Sequence, residues 1–152
     1  MEDKKVEVKN NLVVTDVNEL LSSGKSVTKA FTNITDGKML FNLENNVDNK
    51  INDCVGETIR VVNYLIKLIT TPLEPQVNEE TGELEEKFEN KRITILVDDQ
   101  GKSYVTASKM FGYDFTKLIA TGIFSSEEYV DIKINKKSVK NSSNQALSFE
   151  LV

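Results

Sequence analysis

The side chains that could carry out chemistry restrict this chain to few kinds of site. Its 152 residues include no histidine and one cysteine, Cys54, which excludes Ser-His, Cys-His and His-metal sites and an internal disulfide, and argues against a cysteine-based zinc site. Carboxylates remain, so Asp98, Asp99 and Asp114 are the candidates for a metal-dependent nuclease. Asp98-Asp99 lies where a hairpin turn uses aspartate for local hydrogen bonds, however, and the turn is the favoured interpretation. We therefore expect no enzymatic activity, no cofactor and no metal.

Lysine, arginine and tyrosine offer a different chemistry, the binding of single-stranded DNA. Cations contact the phosphates and flat rings stack on the bases, with about 1–3 kcal/mol for each stacked base. Tyrosine suits this role because a phenol tolerates water at one edge, whereas Phe111, Phe115 and Phe149 fall on apolar stripes typical of a core. Only two of the 19 basic residues are arginine, which favours backbone contacts over base reading and predicts weak sequence specificity.

Eleven residues form the predicted DNA-binding set. Each tyrosine in it could equally be a half-buried strand residue, and each lysine alone a solubility charge, so only the set as a whole supports the hypothesis. Its members are Arg60, Tyr64, Lys67, Arg92, Lys102, Tyr104, Tyr129, Lys133, Lys136, Lys137 and Lys140.

The distribution of charge bears on this hypothesis. A net charge of -5 argues at first against a nucleic-acid partner. Residues 71–90, however, contain seven glutamates and one lysine, a local charge of -6. The rest of the chain has 18 basic and 17 acidic residues, a net charge of +1. The composition is therefore compatible with DNA binding outside the acidic segment.

The stretch from Arg92 to Gly122 predicts a strand, a tight turn, a second strand and a helix. Residues 92–97 alternate with period 2, which indicates a strand with one buried face. Gly101 can adopt the positive φ of a tight hairpin, and the strand returns over residues 103–107. An apolar stripe at helical spacing follows, with Gly122 at the position of a C-terminal cap. The stripe consists of Phe111, Phe115, Leu118 and Ile119.

A long β-rich run precedes this unit, and two alternating runs follow it. Residues 58–71 either bend at one bulge near Asn63, which would switch the buried parity, or form a strand that is buried throughout. Pro72 and Pro75 are expected to end that strand, and residues 72–90 to form an acidic hairpin loop. Strands are predicted at 129–134 and 145–152, with a basic loop between them.

Residues 1–50 are expected to form an N-terminal arm with a short helix and a strand. Apolar residues recur at helical spacing in residues 25–34 and predict the helix, and residues 38–43 predict the strand. The chain has no apolar run long enough to cross a membrane and no signal-peptide pattern at its start. We therefore expect a cytoplasmic protein without a membrane partner.

From residue 58 onward the predicted order is long strand, acidic loop, strand, turn, strand, helix, strand, basic loop, strand. A five-stranded oligonucleotide-binding (OB) barrel has this order, with its helix between the third and fourth strands. We therefore expect a mainly β fold with one or two helices, in which an OB-like barrel at residues 51–152 follows the extension at 1–50. In such a barrel the face of the second and third strands and the loop between the last two strands border the DNA groove.

Three segments also resemble a family, the small single-stranded DNA-binding proteins carried by phages and mobile elements of low-GC Gram-positive bacteria. They are GETIRVVNYLIKLI (56–69), EETGE (79–83) and RITILVDDQGKSYVTASKMFGYDFTKLI (92–119), and the resemblance extends over about residues 52–152. It implies a non-enzymatic protein that coats single-stranded DNA during replication in the cytoplasm of a bacterial host. The chain lacks tryptophan and an acidic C-terminal tail ending in phenylalanine, and in this it departs from the general bacterial single-strand binding proteins.

The acidic segment supports an alternative function, a protein-interaction or assembly module in which a β-barrel presents an acidic docking loop. The partners expected for the favoured function are single-stranded DNA, replication proteins and further copies of the chain. Salt separates the two functions, because electrostatic DNA binding weakens steeply as the salt concentration rises.

Overall fold

The computed structural model describes residues 7–9, 12–14, 26–138 and 145–152, and these form a mainly β fold built on an open, mixed sheet. The helices of this part are α1 (Gly37–Asn45), α2 (Lys109–Ala120) and α3 (Ile123–Ser126), with a 3₁₀ turn at Ile51–Cys54. Its strands are β1 (Glu7–Lys9), β2 (Leu12–Val14), β3 (Val27–Thr32), β4 (Asn49–Lys50), β5 (Thr58–Val77), β6 (Leu84–Asp98), β7 (Ser103–Thr106), β8 (Val130–Ser138) and β9 (Gln145–Leu151). The mainly β prediction is confirmed. Across these described ranges, no helix combines the length and apolar character needed to cross a membrane.

Strand β5 is the centre of the sheet, because three other strands pair along it. β3 pairs with Leu65–Thr70, β6 with Val61–Val77 and β8 with Thr58–Val61, all antiparallel. The β-branched residues concentrated in β5 suit a strand that packs against neighbours on both sides. Every other part of the sheet connects to β5 through one of these three strands.

A bulge in β5 brings side chains from its two halves into one core. The register with β6 shifts between Val61 and Asn63. As a result Val61 before the shift and Tyr64 and Ile66 after it belong to the same buried cluster. The bulge predicted near Asn63 is confirmed, and the alternative of an uninterrupted strand is wrong.

The remaining strands extend the sheet on both sides of β5. β3 continues through β2 to β1 as an antiparallel meander. On the other side β6 pairs with β7, and β7 pairs in parallel with the short β4. β9 pairs with β8, and within the described residues no hydrogen-bonded pair joins β9 to β7. The sheet is therefore open, and the closed five-stranded barrel is not confirmed.

Helices cover both faces of the central strands. α2 packs on one face, where Leu96 and Phe111 belong to one buried cluster. α1 lies against the other face, where Leu43, Ile95 and Val97 form a second buried cluster. The prediction that residues 92–97 have one buried face is wrong, because α2 covers Thr94 and Leu96 on the face that the alternation left exposed.

The helix predicted after β7 is confirmed. Ser108 Oγ accepts a hydrogen bond from the Phe111 backbone N–H at 3.2 Å and so caps the N-terminus of α2. The chain leaves the helix through Gly122, whose φ of 81° is the left-handed conformation expected of a C-terminal cap. Phe111 and Phe115 are fully buried, and Phe149 packs against their cluster. The interpretation of these three phenylalanines as core is therefore confirmed.

Two elements of the N-terminal extension differ from the sequence prediction. Residues 27–32 form β3 rather than a helix, because pairing along β5 satisfies their backbone groups, whereas a short isolated helix is marginal in water. Residues 37–45 form α1 rather than a strand. Asp36 Oδ1 accepts hydrogen bonds from the backbone N–H groups of Lys38 and Met39, at 2.9 and 3.4 Å, which is the geometry of a helix N-cap.

The acidic segment forms a two-stranded ribbon instead of the loop predicted at residues 72–90. β5 continues to Val77 and β6 begins at Leu84, so the connection is confined to residues 78–83. Within this connection Gly82 has a φ of 73°, which a glycine adopts without steric cost. The segment is therefore an extended arm of the sheet.

The two prolines do not end β5, because each lies where a strand tolerates the loss of an N–H. Pro72 follows Thr70, the last residue that β3 pairs. Beyond that point β5 has β6 as its neighbour in the described residues, and edge positions accept proline. Pro75 lies at a second register shift, between Leu73 and Gln76, and bulges also accept proline.

Candidate functional site

Two of the three predicted stacking residues face the core beneath α2. The Tyr64 ring is 5% exposed, and its centroid is 5.9 Å from that of Phe115 and 5.0 Å from that of Phe124. Tyr104 is half-buried, packs against the same cluster, and donates its hydroxyl hydrogen bond to Asp98 Oδ2 at 2.8 Å. A base cannot stack on Tyr64 without opening the core, and Tyr104 has a structural role at the β6–β7 turn.

Asp98 organises that turn. Its Oδ1 accepts hydrogen bonds from the backbone N–H groups of Gln100 and Lys102, each at 2.9 Å. Burial acts to raise the pKa of Asp98, but the hydrogen bonds from Tyr104, Lys102 and Gln100 outweigh burial and lower the pKa. Burial, followed by the hydrogen bond to Asp98, raises the pKa of Tyr104. These contacts confirm the turn interpretation of Asp98, and the described residues contain no group of three or more Asp, Glu or Cys side chains placed to hold a metal.

Arg60 and Tyr129 form a local group with Asp131. Arg60 Nε and Nη2 donate to Asp131 Oδ1 and Oδ2 at 2.9 and 3.1 Å, and the hydrogen bond from Arg60 lowers the pKa of Asp131. The Arg60 guanidinium carbon lies 4.0 Å from the centroid of the Tyr129 ring. The charge of Arg60 is therefore offset by a carboxylate, and the guanidinium covers part of the Tyr129 ring.

The predicted lysines lie in other places. Lys67 is on the α1 side of the sheet, where its Nζ is 3.6 Å from Glu44 Oε1. Lys102 is exposed at the β6–β7 turn. Three more lysines, Lys133, Lys136 and Lys137, are exposed along β8, and Lys140 lies outside the described residues. The set predicted from the sequence is thus divided among several surfaces rather than gathered along one groove.

Arg92, the remaining member of the set, lines a cavity of about 500 Å³ between β3, β5, β6 and the start of α2. We call it the cationic cavity, because four of the ten described residues that line it are cations and none of these ten is acidic. Within the described ranges, none of the four lies within ion-pair distance of a carboxylate. The four cations are Lys29, Lys91, Arg92 and Lys109.

The floor of the cationic cavity is built from residues paired across three strands. Lys29 of β3 lies opposite Leu68 of β5, and Leu68 lies opposite Arg92 of β6. Directly paired residues project to the same face of a sheet, so Lys29 and Arg92 border one surface. Their backbones are two strand spacings apart, about 10 Å. The register of β3 on β5 therefore brings together two cations that are 63 positions apart in the chain.

α2 forms the wall of the cavity. Lys109 and Tyr113 are four residues apart and so lie on one side of the helix. The buried Gly112 lets the helix approach β6 closely, because a Cβ at this position would overlap Arg92 Cδ and lie 3.0 Å from Thr94 Oγ1. The absence of a side chain at Gly112 therefore makes room for the Arg92 side chain under the helix.

Contacts with α2 fix the position of Arg92. Its Nη1 donates to Thr116 Oγ1 at 2.8 Å, and Thr116 Oγ1 donates to the Gly112 carbonyl at 2.7 Å. The guanidinium carbon lies 4.7 Å from the centroid of the Tyr113 ring, within the range of a cation–π interaction. Tyr113 is 59% exposed. The cavity therefore combines four cations with an accessible aromatic ring that Arg92 helps to orient.

Sequence reasoning identified Arg92 at this site and missed Lys29, Lys91, Lys109 and Tyr113. The spacing of Lys109 and Tyr113 on the side of the helix away from its apolar stripe was a usable signal. Lys29 could not be found in this way, because its position depends on the pairing of β3 with β5, and residues 25–34 read as a helix.

Comparisons of the chain with protein-family models, with curated proteins and with solved structures find no match.

Proposed function

We propose that this chain binds single-stranded DNA through the cationic cavity, without enzymatic activity and largely independently of sequence. Lys29, Lys91, Arg92 and Lys109 line one cavity together with Tyr113, and none of the described residues that line it is acidic. This observation carries the proposal. Binding of single strands regardless of sequence requires this combination, with cations for the phosphates and a ring for the bases. The resemblance of three sequence segments to phage and mobile-element proteins supports a role in the DNA replication of such an element, and we include that role in the proposal.

Lysine is suited to following a phosphate backbone. It carries a point charge on a flexible stem and does not impose the bidentate geometry with which arginine reads guanine. Each phosphate neutralised on a single strand contributes about -0.7 to the slope of log K against log salt, so four contacts give a slope of about -3.

Tyr113 is the stacking residue in this proposal. The Arg92 guanidinium lies over the ring, and the exposed remainder is open to a base. An aromatic platform accepts every base, because each base has a π face. Tyr113 therefore takes the role that the sequence predicted for Tyr64 and Tyr104.

The fold supports this function as an OB-like arrangement that lacks one strand pair. β5, β6, β7, β8 and β9 follow the OB order, with α2 between the third and fourth strands. Their pairs β5–β6, β6–β7, β5–β8 and β8–β9 are present, and β4 occupies the edge of β7. Because α1 covers one face of β6, we assign DNA to the cationic cavity instead of that face.

A salt titration tests the proposal. Binding of a fluorescent oligo-dT strand would be measured by anisotropy from low to moderate salt for wild type, for K29Q/K109Q, and for the control K38Q/K50Q, which removes two exposed lysines elsewhere. The cavity variant should bind more weakly and flatten the slope by about 1.4, the contribution of two phosphates. No binding by wild type at low salt would refute the proposal, and equal effects of the two variants would mean that only net charge matters.

Two further variants locate the site. Y113A should weaken oligo-dT binding by about 1–3 kcal/mol, whereas Y113F, which retains the ring, should bind like wild type. The triple variant K133Q/K136Q/K137Q tests the surface predicted from the sequence, and it should lose less affinity than K29Q/K109Q. A larger loss in the triple variant would move the site to β8.

Protein interaction is a second candidate function, and the ribbon favours it. Its apolar side chains are exposed, among them Leu84 and Val77 at 70% and 62%. Exposed apolar patches of this kind mark interaction surfaces. A contact through the ribbon does not exclude DNA binding at the cationic cavity.

A further inference from the structure

The β5–β6 ribbon (residues 72–89) extends beyond the rest of the sheet. Pairing with β3 ends at Thr70, and from there β5 and β6 continue with each other as their neighbours. The stretch from Thr71 to Val77 spans about 20 Å at the rise of a β-strand. A two-stranded ribbon is at best marginally stable in water by itself, so we expect another surface to cover it.

One face of the ribbon is open and carries four apolar side chains. Pro72 lies opposite Phe88, and Val77 lies opposite Leu84, so these four side chains project from the same face. Phe88 is 43% exposed, less than Val77 and Leu84. Because Leu84, Phe88 and Arg92 have the same parity along β6, this face continues directly from the floor of the cationic cavity.

Charge decides what can cover this face. Residues 71–90 carry a net charge of -6, so two ribbons repel each other and a symmetric contact between them is disfavoured. The complementary surface must be cationic and partly apolar. The cavity wall has this character, because Met110 and Tyr113 are exposed beside Lys109.

A ribbon cannot reach the cationic cavity of its own chain. Thr70 and Asn90 line that cavity and lie at the base of the ribbon, so the ribbon begins at the cavity and leads away from it. Folding it back would break the β5–β6 ladder. A second copy of the chain has no such restriction.

We propose that the ribbon of one copy docks on the cationic cavity of a second copy. The contact joins different surfaces of the two molecules, so it repeats head to tail along a row of copies. It also occupies the surface to which we assign DNA. The consequence that DNA and the ribbon compete for the cavity rests on that proposed function, whereas the docking itself does not.

Complementation between two variants tests the docking. L84S/F88S alters the ribbon and K29Q/K109Q alters the cavity, and mass would be measured at low salt by light scattering after size exclusion. Wild type should associate with rising concentration, and each variant alone should remain monomeric. An equimolar mixture should form a one-to-one dimer and nothing larger, because one intact ribbon meets one intact cavity.

Other arrangements give different masses. If ribbons pair symmetrically, K29Q/K109Q associates by itself, and adding L84S/F88S does not increase the measured mass. A wild-type protein that stays monomeric at every concentration overturns the inference. The variant E79Q/E80Q/E83Q changes only the connecting turn and leaves the apolar face intact, and it should weaken association. If circular dichroism shows that L84S/F88S is misfolded, this variant replaces it in the test.

Oligo-dT separates the failure of this inference from the failure of the proposed function. If both hold, oligo-dT dissociates the wild-type assembly, and L84S/F88S still binds DNA. If no variant binds oligo-dT but the mixture forms the dimer, DNA binding is wrong and the docking stands. If oligo-dT binds a wild type that is always monomeric, the docking is wrong and the proposed function stands.

Discussion

Gly112 determines how closely α2 approaches β6, and therefore where Arg92 lies. The Arg92 side chain occupies the space that a Cβ at position 112 would need, and Thr94 Oγ1 borders the same space. Thr94 Oγ1 is buried without a hydrogen-bond partner in the described residues. The position of a cation in the proposed site therefore depends on the absence of a side chain on the helix above it.

The substitution G112A should both destabilise the protein and displace Arg92. Overpacking of this kind costs about 1–3 kcal/mol in the free energy of unfolding, and oligo-dT binding should weaken with it. In an R92A background the overlap with Cδ is absent, so G112A should cost less, with a coupling of about 0.5–3 kcal/mol in a double-mutant cycle measured by urea denaturation. If the free-energy effects of G112A and R92A simply add, position 112 does not contact the Arg92 side chain.

The hydrogen bond from Tyr104 to Asp98 predicts a pH-dependent contribution to stability. The pKa of Asp98 is lowered from its ordinary value of 3.8, so the contribution is present above that value and is lost as the pH falls through the lower folded-state pKa. Y104F removes the donor and should reduce the free energy of unfolding at neutral pH by about 1.5–3 kcal/mol, the usual value of a hydrogen bond to a charged group.

The difference between wild type and Y104F should shrink as the pH falls through the folded-state pKa of Asp98, because the carboxylate is then lost. Urea denaturation at neutral pH and at a series of acidic pH values measures it. A difference that stays constant with pH would show that Tyr104 acts through packing and not through the carboxylate.

Among the elements, α1 closes the face of the central strands that the barrel arrangement leaves to DNA. Leu43 is buried there with Leu65, Ile95 and Val97, while Phe41 on the same helix is 67% exposed. α1 is therefore part of the hydrophobic core.

The substitution L43A should lower the free energy of unfolding by about 2–5 kcal/mol, because it removes buried methyl groups and leaves a cavity. F41A is the matched control on the exposed side of α1, and its effect should stay within about 0.5 kcal/mol. Chemical denaturation of both variants is the measurement. Equal small effects would mean that α1 contributes little to the core.

Elements with strong local signals could be predicted from the sequence. The unit from Arg92 to Gly122 follows from a period-2 run, a turn glycine and a helical stripe, which depend on residues close together in the chain. β3 could not be predicted, because its conformation is decided by pairing with β5, about 40 residues away. Asp36 can begin a turn or cap a helix. It caps a helix here, because α1 packs on the apolar face of β5 and β6.

At the scale of the whole molecule, the charge is divided between two regions that adjoin each other. The acidic ribbon leaves the sheet at the edge of the cationic cavity. The chain as a whole is therefore negatively charged although one of its surfaces is positive. Composition predicted this division, since the residues outside 71–90 have a net charge of +1. It could not place the cations, because only the register of three strands brings Lys29 and Arg92 to one surface.

Strand β5 also implies an order in which the native contacts form. The hairpin of β5 and β6 closes over residues 78–83, and a hairpin typically forms in about 1–10 μs. β8 pairs with the opposite end of β5 across 71 residues between Arg60 and Asp131, and long-range pairings are slower because more chain entropy is lost before they form. We therefore expect the hairpin to form first and to serve as the template on which β3 and β8 assemble, so that a chain still emerging from the ribosome would have the ribbon before it has the rest of the sheet.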